Sequence, residues 1–229
     1  MNTFETTSQR LIKDSVTRMY AWMAAGLMIT GITSMFLYSS GLFLQIIYSM
    51  PMLALVLVVA QLVLVMSISF GMAKMRASTM KLLYLLYAFT LGISMTSIAY
   101  SYQLGTIAIA FGITALYFIC LVAIGRTTNL DLSKFGTMAY ICLAVMIISQ
   151  LVMALFRVSM DTRFMSICGL LIFTGITAYD VQRANSLLQQ NHLENEGQEK
   201  IVIFMALQMY LDFINIFLYI VRLLGNRRN

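Results

Sequence analysis

Apolar runs close to twenty residues long, separated by short polar breaks, fill almost the whole chain. They lie at about 20–39, 52–73, 82–100, 105–125, 135–156, 164–182 and 201–224. An α-helix of about 20 apolar residues spans the roughly 30 Å hydrocarbon core of a bilayer. The pattern therefore predicts an all-α membrane protein with seven transmembrane helices. The breaks are too short for a soluble domain, so the expectation is one domain over 1–229, preceded at 1–18 by a polar tail on the cytosolic side. The first run is long enough to span and has no clear small-residue cleavage site, so it reads as a retained helix and not a removed signal. Small residues recur at spacing four in two spans: Gly26, Thr30 and Ser34 in the first, Ala88, Gly92 and Thr96 in the third. Such faces let neighbouring helices approach closely. Pro51, the single proline, is expected to open span two, where its missing N–H is no loss.

Composition agrees with this class. The chain has 229 residues, 60% of them hydrophobic and 10% charged, where soluble domains carry about 25% charged residues. The net charge of +6 would suit nucleic acid if clustered, but it is distributed by loop. The N-terminal tail and the even breaks hold most of the Lys and Arg, including Lys74, Arg76 and Lys81. Arg157, Arg163 and the terminal Arg222, Arg227 and Arg228 fall on the other side. By the positive-inside rule the N-terminus faces the cytosol and, with seven spans, the C-terminus faces away from it. Basic residues then serve topology and lipid headgroups, and no nucleic-acid partner is expected. Cys120, Cys142 and Cys168 lie singly in three spans without metal or redox spacing, and are expected to act as small apolar side chains. His192 is the sole histidine and lies in a polar break. No cofactor is implied. The 19 methionines read as adaptable packing.

Candidate chemistry enters with two carboxylates. Asp180 and Asp212 fall within apolar runs, whereas the other seven acidic residues lie in tails and breaks. A charge in hydrocarbon costs several kcal/mol unless it is neutralised, paired or hydrated. In span seven, Gln208, Asp212, Asn215, Tyr219 and Arg222 follow at spacings of three and four, one stripe of a helix that is otherwise greasy all round. Tyr219 and Arg222 also suit interfacial anchors. Span six carries Thr177 and Asp180, and the helix is expected to continue to about Gln190, with a turn at Asn195-Glu196-Gly197. About a turn centred on residue 196, positions 180 and 212 are equidistant, which would bring the aspartates to similar depth.

Two like charges close together in low dielectric cannot both stay ionised, so such a pair shares a proton and can act as a pH-sensitive latch. Its oxygens, with those of Gln208, Asn215 and Thr177, would also supply part of a calcium shell, weakly and with water completing it. A purely structural pair of protonated hydrogen-bonders is the plainer alternative. An intramembrane aspartyl protease shares the two-aspartate layout, and Tyr179-Asp180 fits its first motif. Its second needs Gly-x-Gly-Asp, where this chain has Met209-Tyr210-Leu211-Asp212, and its Pro-Ala-Leu element is absent. A retinal protein would need a lysine in span seven. No enzyme activity is therefore expected.

The stretch Thr177-Ala178-Tyr179-Asp180-Val181-Gln182, with Leu211-Asp212-Phe213-Ile214-Asn215-Ile216-Phe217-Leu218, resembles the Bax inhibitor-1 family (transmembrane Bax inhibitor motif proteins). The short N-terminal tail is similar to bacterial members. The resemblance implies a last helix wrapped by the other six and a pH-sensitive calcium leak with Asp180 and Asp212 as its dyad. It also implies a basic partner near the cytosolic end of span two, a region held here by Lys74 and Arg76. Calcium and protons are then the permeant and regulating ions, in a membrane expected to be the bacterial inner membrane. Span three departs from the family pattern in lacking a proline after its glycine. Two further readings are a regulatory protein acting through stress, cell-death or quality-control partners, for which no partner motif is visible, and a proton-coupled carrier, for which no inverted repeat is visible.

Overall fold

A computed structural model of the chain describes residues 2–50, 52–128, 130–156, 161–190 and 195–225. Pro51, Arg157, His192, Glu194, Arg227 and Arg228, and the readings placed on them, lie outside the described residues. Those described form eight helices and no strand: α1 (Asn2–Ser40), α2 (Leu42–Ser49), α3 (Leu53–Gly71), α4 (Ala77–Ser101), α5 (Leu104–Thr127), α6 (Ser133–Leu155), α7 (Thr162–Gln190) and α8 (Asn195–Leu224). Seven of them are long and apolar enough to cross a membrane. Helix is the form hydrocarbon demands, because every backbone N–H and C=O must be satisfied within its own segment. Large apolar side chains such as Leu55, Phe70, Leu116, Ile148 and Leu171 are exposed, as befits a surface solvated by lipid.

Three details differ from the sequence expectation. The polar N-terminal stretch is helical and runs straight into the first span. Eight residues after Gly41 form the extra helix α2, with Gly41 in the left-handed region (φ 68°) making the turn. Helix α7 extends to Gln190, and Asn195-Glu196-Gly197, where a turn is expected, is the first turn of α8. Polar residues that signal a turn also suit a helix start, where exposed N–H groups want acceptors. Residue 196 is thus helical and not the centre of a turn, and the equidistance argument built on it does not hold.

The chain forms two compact groups of helices. The first comprises residues 1–101 and 186–210. Here the small-residue faces of α1 and α4 pack against each other. A Cβ at Gly92 would overlap Thr33 and the Thr30 carbonyl, and one at Gly26 would overlap the Tyr84 hydroxyl. The Thr30 hydroxyl reaches the Ala88 carbonyl at 2.9 Å and also bonds the Tyr210 hydroxyl, while Tyr84 donates to the Trp22 carbonyl at 2.8 Å. Gln61 of α3 donates to Ser94 (2.8 Å) and to the Thr90 carbonyl (3.1 Å) of α4. Glu199, in α8, pairs with Lys81 at 2.7 Å and with Arg18 at 3.8 Å, and Gln198 donates to Ser15 at 2.8 Å.

The second group comprises residues 102–185 and 211–229. Glycines again set its close approaches. Gly125 lies on the Ala178 carbonyl and Val181, Gly136 on the Tyr179 ring, and Gly169 on the Tyr219 ring. Phe213 meets Phe111 and Phe118 edge to face, with centroids 5.4 and 5.6 Å away. Tyr219 is buried against Phe173, and Arg222 stacks over it at 5.6 Å. Cys120 and Cys142 are exposed on the apolar outer surface and Cys168 is half-buried; all three are free thiols. Helix α8 runs through both groups and is the most buried, with 72% of its most apolar stretch covered against at most 39% in any other span.

Candidate functional site

Asp180, Asp212 and Thr177 lie in the second group and are each almost fully buried, at 1%, 3% and 0% exposure. On α7, Thr177 and Asp180 are three residues apart and so share a face. Asp212 comes from α8, and its charge and that of Asp180 act on one another. Thr177 is the polar neighbour of Asp212, short of full hydrogen-bond geometry.

Two residues at this site carry no prediction from the sequence. The Tyr140 hydroxyl of α6 donates to Asp180 Oδ2 at 2.8 Å. Arg183, one helical turn beyond Asp180, sets a positive charge against it. A signal for Arg183 existed, since it stands at i+3 from Asp180 in a helix expected to continue; its position in a basic break disguised it. Tyr140 had none, because a tyrosine in an apolar span reads as packing or as an interfacial anchor.

The remaining candidates fall as follows. Asn215 turns back on its own helix, its amide donating to the Leu211 carbonyl at 2.7 Å. Gln208 belongs to the first group, and its buried side-chain oxygen has no hydrogen-bond partner. Lys74 and Arg76 are exposed in the α3–α4 connection, also in the first group. The stripe predicted on span seven is thus real as helix register but not uniform in what its members do.

Chemically, the cluster is short of donors. Asp180 Oδ1, Asp212 Oδ2 and Thr177 Oγ1 are buried and without a hydrogen-bond partner. Buried acceptors are almost always satisfied in native proteins, so these oxygens call for a proton, a water or a cation. Two carboxylates and a hydroxyl can bind each of these, and none strongly. Among the described residues no three His, Cys, Asp or Glu side chains gather as a metal centre.

Comparison with known proteins identifies the family. A family model described as Bax1-I, inhibitor of apoptosis-promoting Bax1, matches residues 12–229. The chain belongs to this family. A protein of Borreliella burgdorferi is 36% identical over 220 residues, covering 96% of this chain and 95% of its own length. The inner membrane protein YbhL of Escherichia coli K12 is 32% identical over 212 residues, covering 92% of this chain and 91% of its own. A protein of Deinococcus radiodurans is 31% identical over 219 residues, at 95% and 92% coverage. The match runs through all seven spans, so this chain is an integral membrane protein of the Bax inhibitor-1 family.

Proposed function

We propose that the protein is a passive, pH-sensitive calcium leak in which Asp180 and Asp212 form the proton-sharing element that controls passage. The observation that carries this reading is the set of buried, unpartnered oxygens on Asp180, Asp212 and Thr177 within the membrane-spanning helices. Oxygens that no protein donor reaches are open to a proton, a water or a hydrated cation. Calcium is the substrate on its path, held in transit by few protein oxygens and mostly by water. Protonation of the pair lowers its negative charge and with it the attraction for the ion. Gln208 and Asn215 are polar neighbours in register along α8, and Lys74 or Arg76 is a candidate basic latch. The reading places the protein in the bacterial inner membrane, in keeping with its relative YbhL, with the N-terminus cytosolic and the C-terminus opposite. It assigns no enzymatic step.

The test is calcium flux into dye-loaded liposomes across pH. Wild type is expected to conduct with a pH-dependent rate, and the double variant Asp180→Asn, Asp212→Asn to lose the pH response. Equal flux and equal pH response in both would sink the proposal. The family description favours a second reading, regulation of cell death or stress through protein partners. A stoichiometric partner co-purifying from native membrane, with no flux in liposomes, would select that reading instead.

A further inference from the structure

Helix α6 makes its hydrogen bonds to α7 over one short stretch. Only 11% of the most apolar part of α6 is buried, so little packing secures it. At its start, Gln182 of α7 accepts from the Leu132 N–H at 3.0 Å and donates to the Leu130 carbonyl at 2.8 Å. One turn into α6, Gly136 lies on the ring of Tyr179. A further turn along, Tyr140 donates to Asp180, and its ring meets that of Tyr179 edge to face at 6.4 Å. Among the described residues, Tyr140 makes the only side-chain hydrogen bond from within α6 to another helix. Beyond it α6 is mostly apolar, Ser149 bonding back to the Val145 carbonyl of its own helix, and Met146 is buried. The polar attachments therefore sit at one end: a clamp at Gln182 and a hydrogen bond at Tyr140.

We infer that Tyr140 is a positioning residue that couples helix α6 to the aspartate pair, so that α6 pivots about the Gln182 clamp when Asp180 Oδ2 is withdrawn from the tyrosine hydroxyl. Tyr140 is a donor to an oxygen that competing partners also want. The charged and titratable groups at this point are Asp180 and Arg183 on α7, Asp212 on α8 and Tyr140 itself. Any rearrangement in which Asp180 turns toward Asp212, or toward a cation, must release the phenol. Without that bond the polar hold of α7 on α6 is the Gln182 clamp, beside the Tyr179 ring and the apolar contacts of Ala139 and Met146. This assigns a regulated element to the site and rests on the functional reading above only in treating the pair as one that changes state.

The test uses the full-length protein in nanodiscs, with spin labels at Met138 on α6 and Leu171 on α7, both exposed, in a background where Cys120, Cys142 and Cys168 are replaced by serine. Tyr140→Phe keeps the ring on Tyr179 and removes only the hydroxyl. It is expected to shift the label separation to a longer and broader distribution, and Asp180→Ala to give the same shift. The double variant should move no further than either single one, as for two ends of one interaction. Additive shifts, or a wild-type distribution in Tyr140→Phe, would overturn the inference. A second readout is the infrared band of the Asp180 carboxyl, identified by its loss in Asp180→Asn. It should move in Tyr140→Phe, and an unmoved band would also overturn the coupling. Both readouts are independent of ion flux. An absence of flux in wild-type liposomes would defeat the calcium reading alone, whereas an α6 unaffected by Tyr140→Phe would defeat this inference alone.

Discussion

The two helix groups each bury a polar cluster, and they treat it in opposite ways. In the first, Thr30, Tyr84 and Tyr210 are hydroxyls whose bonds close on backbone carbonyls or on one another. Edge-to-face rings of Tyr84, Tyr87 and Tyr210 pack around them. In the second, Asp180, Asp212 and Thr177 are as deeply buried yet keep oxygens unpartnered. Satisfied polar groups in a helix bundle hold it together; unsatisfied ones cost stability and persist where they serve something else. The contrast separates a hydroxyl cluster that closes on itself from a carboxylate cluster that does not.

The sharpest way to break the contrast is to neutralise each cluster. Asp212→Asn is expected to abolish the pH response of calcium flux while leaving thermal stability in detergent unchanged or raised, because a buried carboxylate is exchanged for a neutral group. A large fall in melting temperature would make the aspartate a structural residue after all. Next in size, Gly26→Leu should destabilise the first group by about 1–3 kcal/mol, through overlap with Tyr84 and Tyr210. The pH response should survive wherever the protein folds. Tyr210→Phe removes one hydroxyl, and Thr30 keeps its bond to the Ala88 carbonyl. The expected loss is about 1 kcal/mol, again with flux unaltered. Lys81→Met breaks the half-exposed pair with Glu199. It should cost less than about 1 kcal/mol, and less still at high salt; thermal melts at two ionic strengths would check this.

The smallest effect belongs to the loop before α6. The Ser133 side chain and backbone N–H donate to the exposed Asp131 carboxyl and hold it below the usual carboxylate value of 3.8. A group with a depressed pKa in the folded state lends its stability above the unfolded value and loses it as pH falls through the folded one. Protection of the Ser133 amide should therefore fade only below pH 3.8, and Asp131→Asn should remove that dependence. Hydrogen exchange at this amide across acid pH reads it directly.

Much of the fold was legible because hydrocarbon constrains each span independently. Length and polarity alone place seven spans close to where the helices stand, and small residues such as Gly26, Thr30 and Gly92 announce the α1–α4 contact. The boundaries were less legible where one residue type serves two purposes. Asn195 and Glu196 suit a turn and a helix start equally, and the helix start prevailed. Helix α2 is too short to show as a span. At the site, the two aspartates stood out by cost alone, but spacing on a helix fixes a face and not a partner. Asn215 shares the stripe of Asp212, yet its amide turns to the Leu211 carbonyl, because such back-bonding is always available within a helix.

The sequence by itself determined that this is a seven-span membrane protein of the Bax inhibitor-1 family with two carboxylates inside its spans. These are properties of single segments, and the bilayer tests each segment on its own. Tertiary structure decided what other helices bring to Asp180: the hydroxyl of Tyr140 from α6, the nearby Asp212 from α8, and the oxygens left without partners. Those depend on how far each helix is rotated and how deep it sits against its neighbours. Glycines such as Gly125 and Gly136 set that approach, and a periodic pattern along one helix carries no record of it.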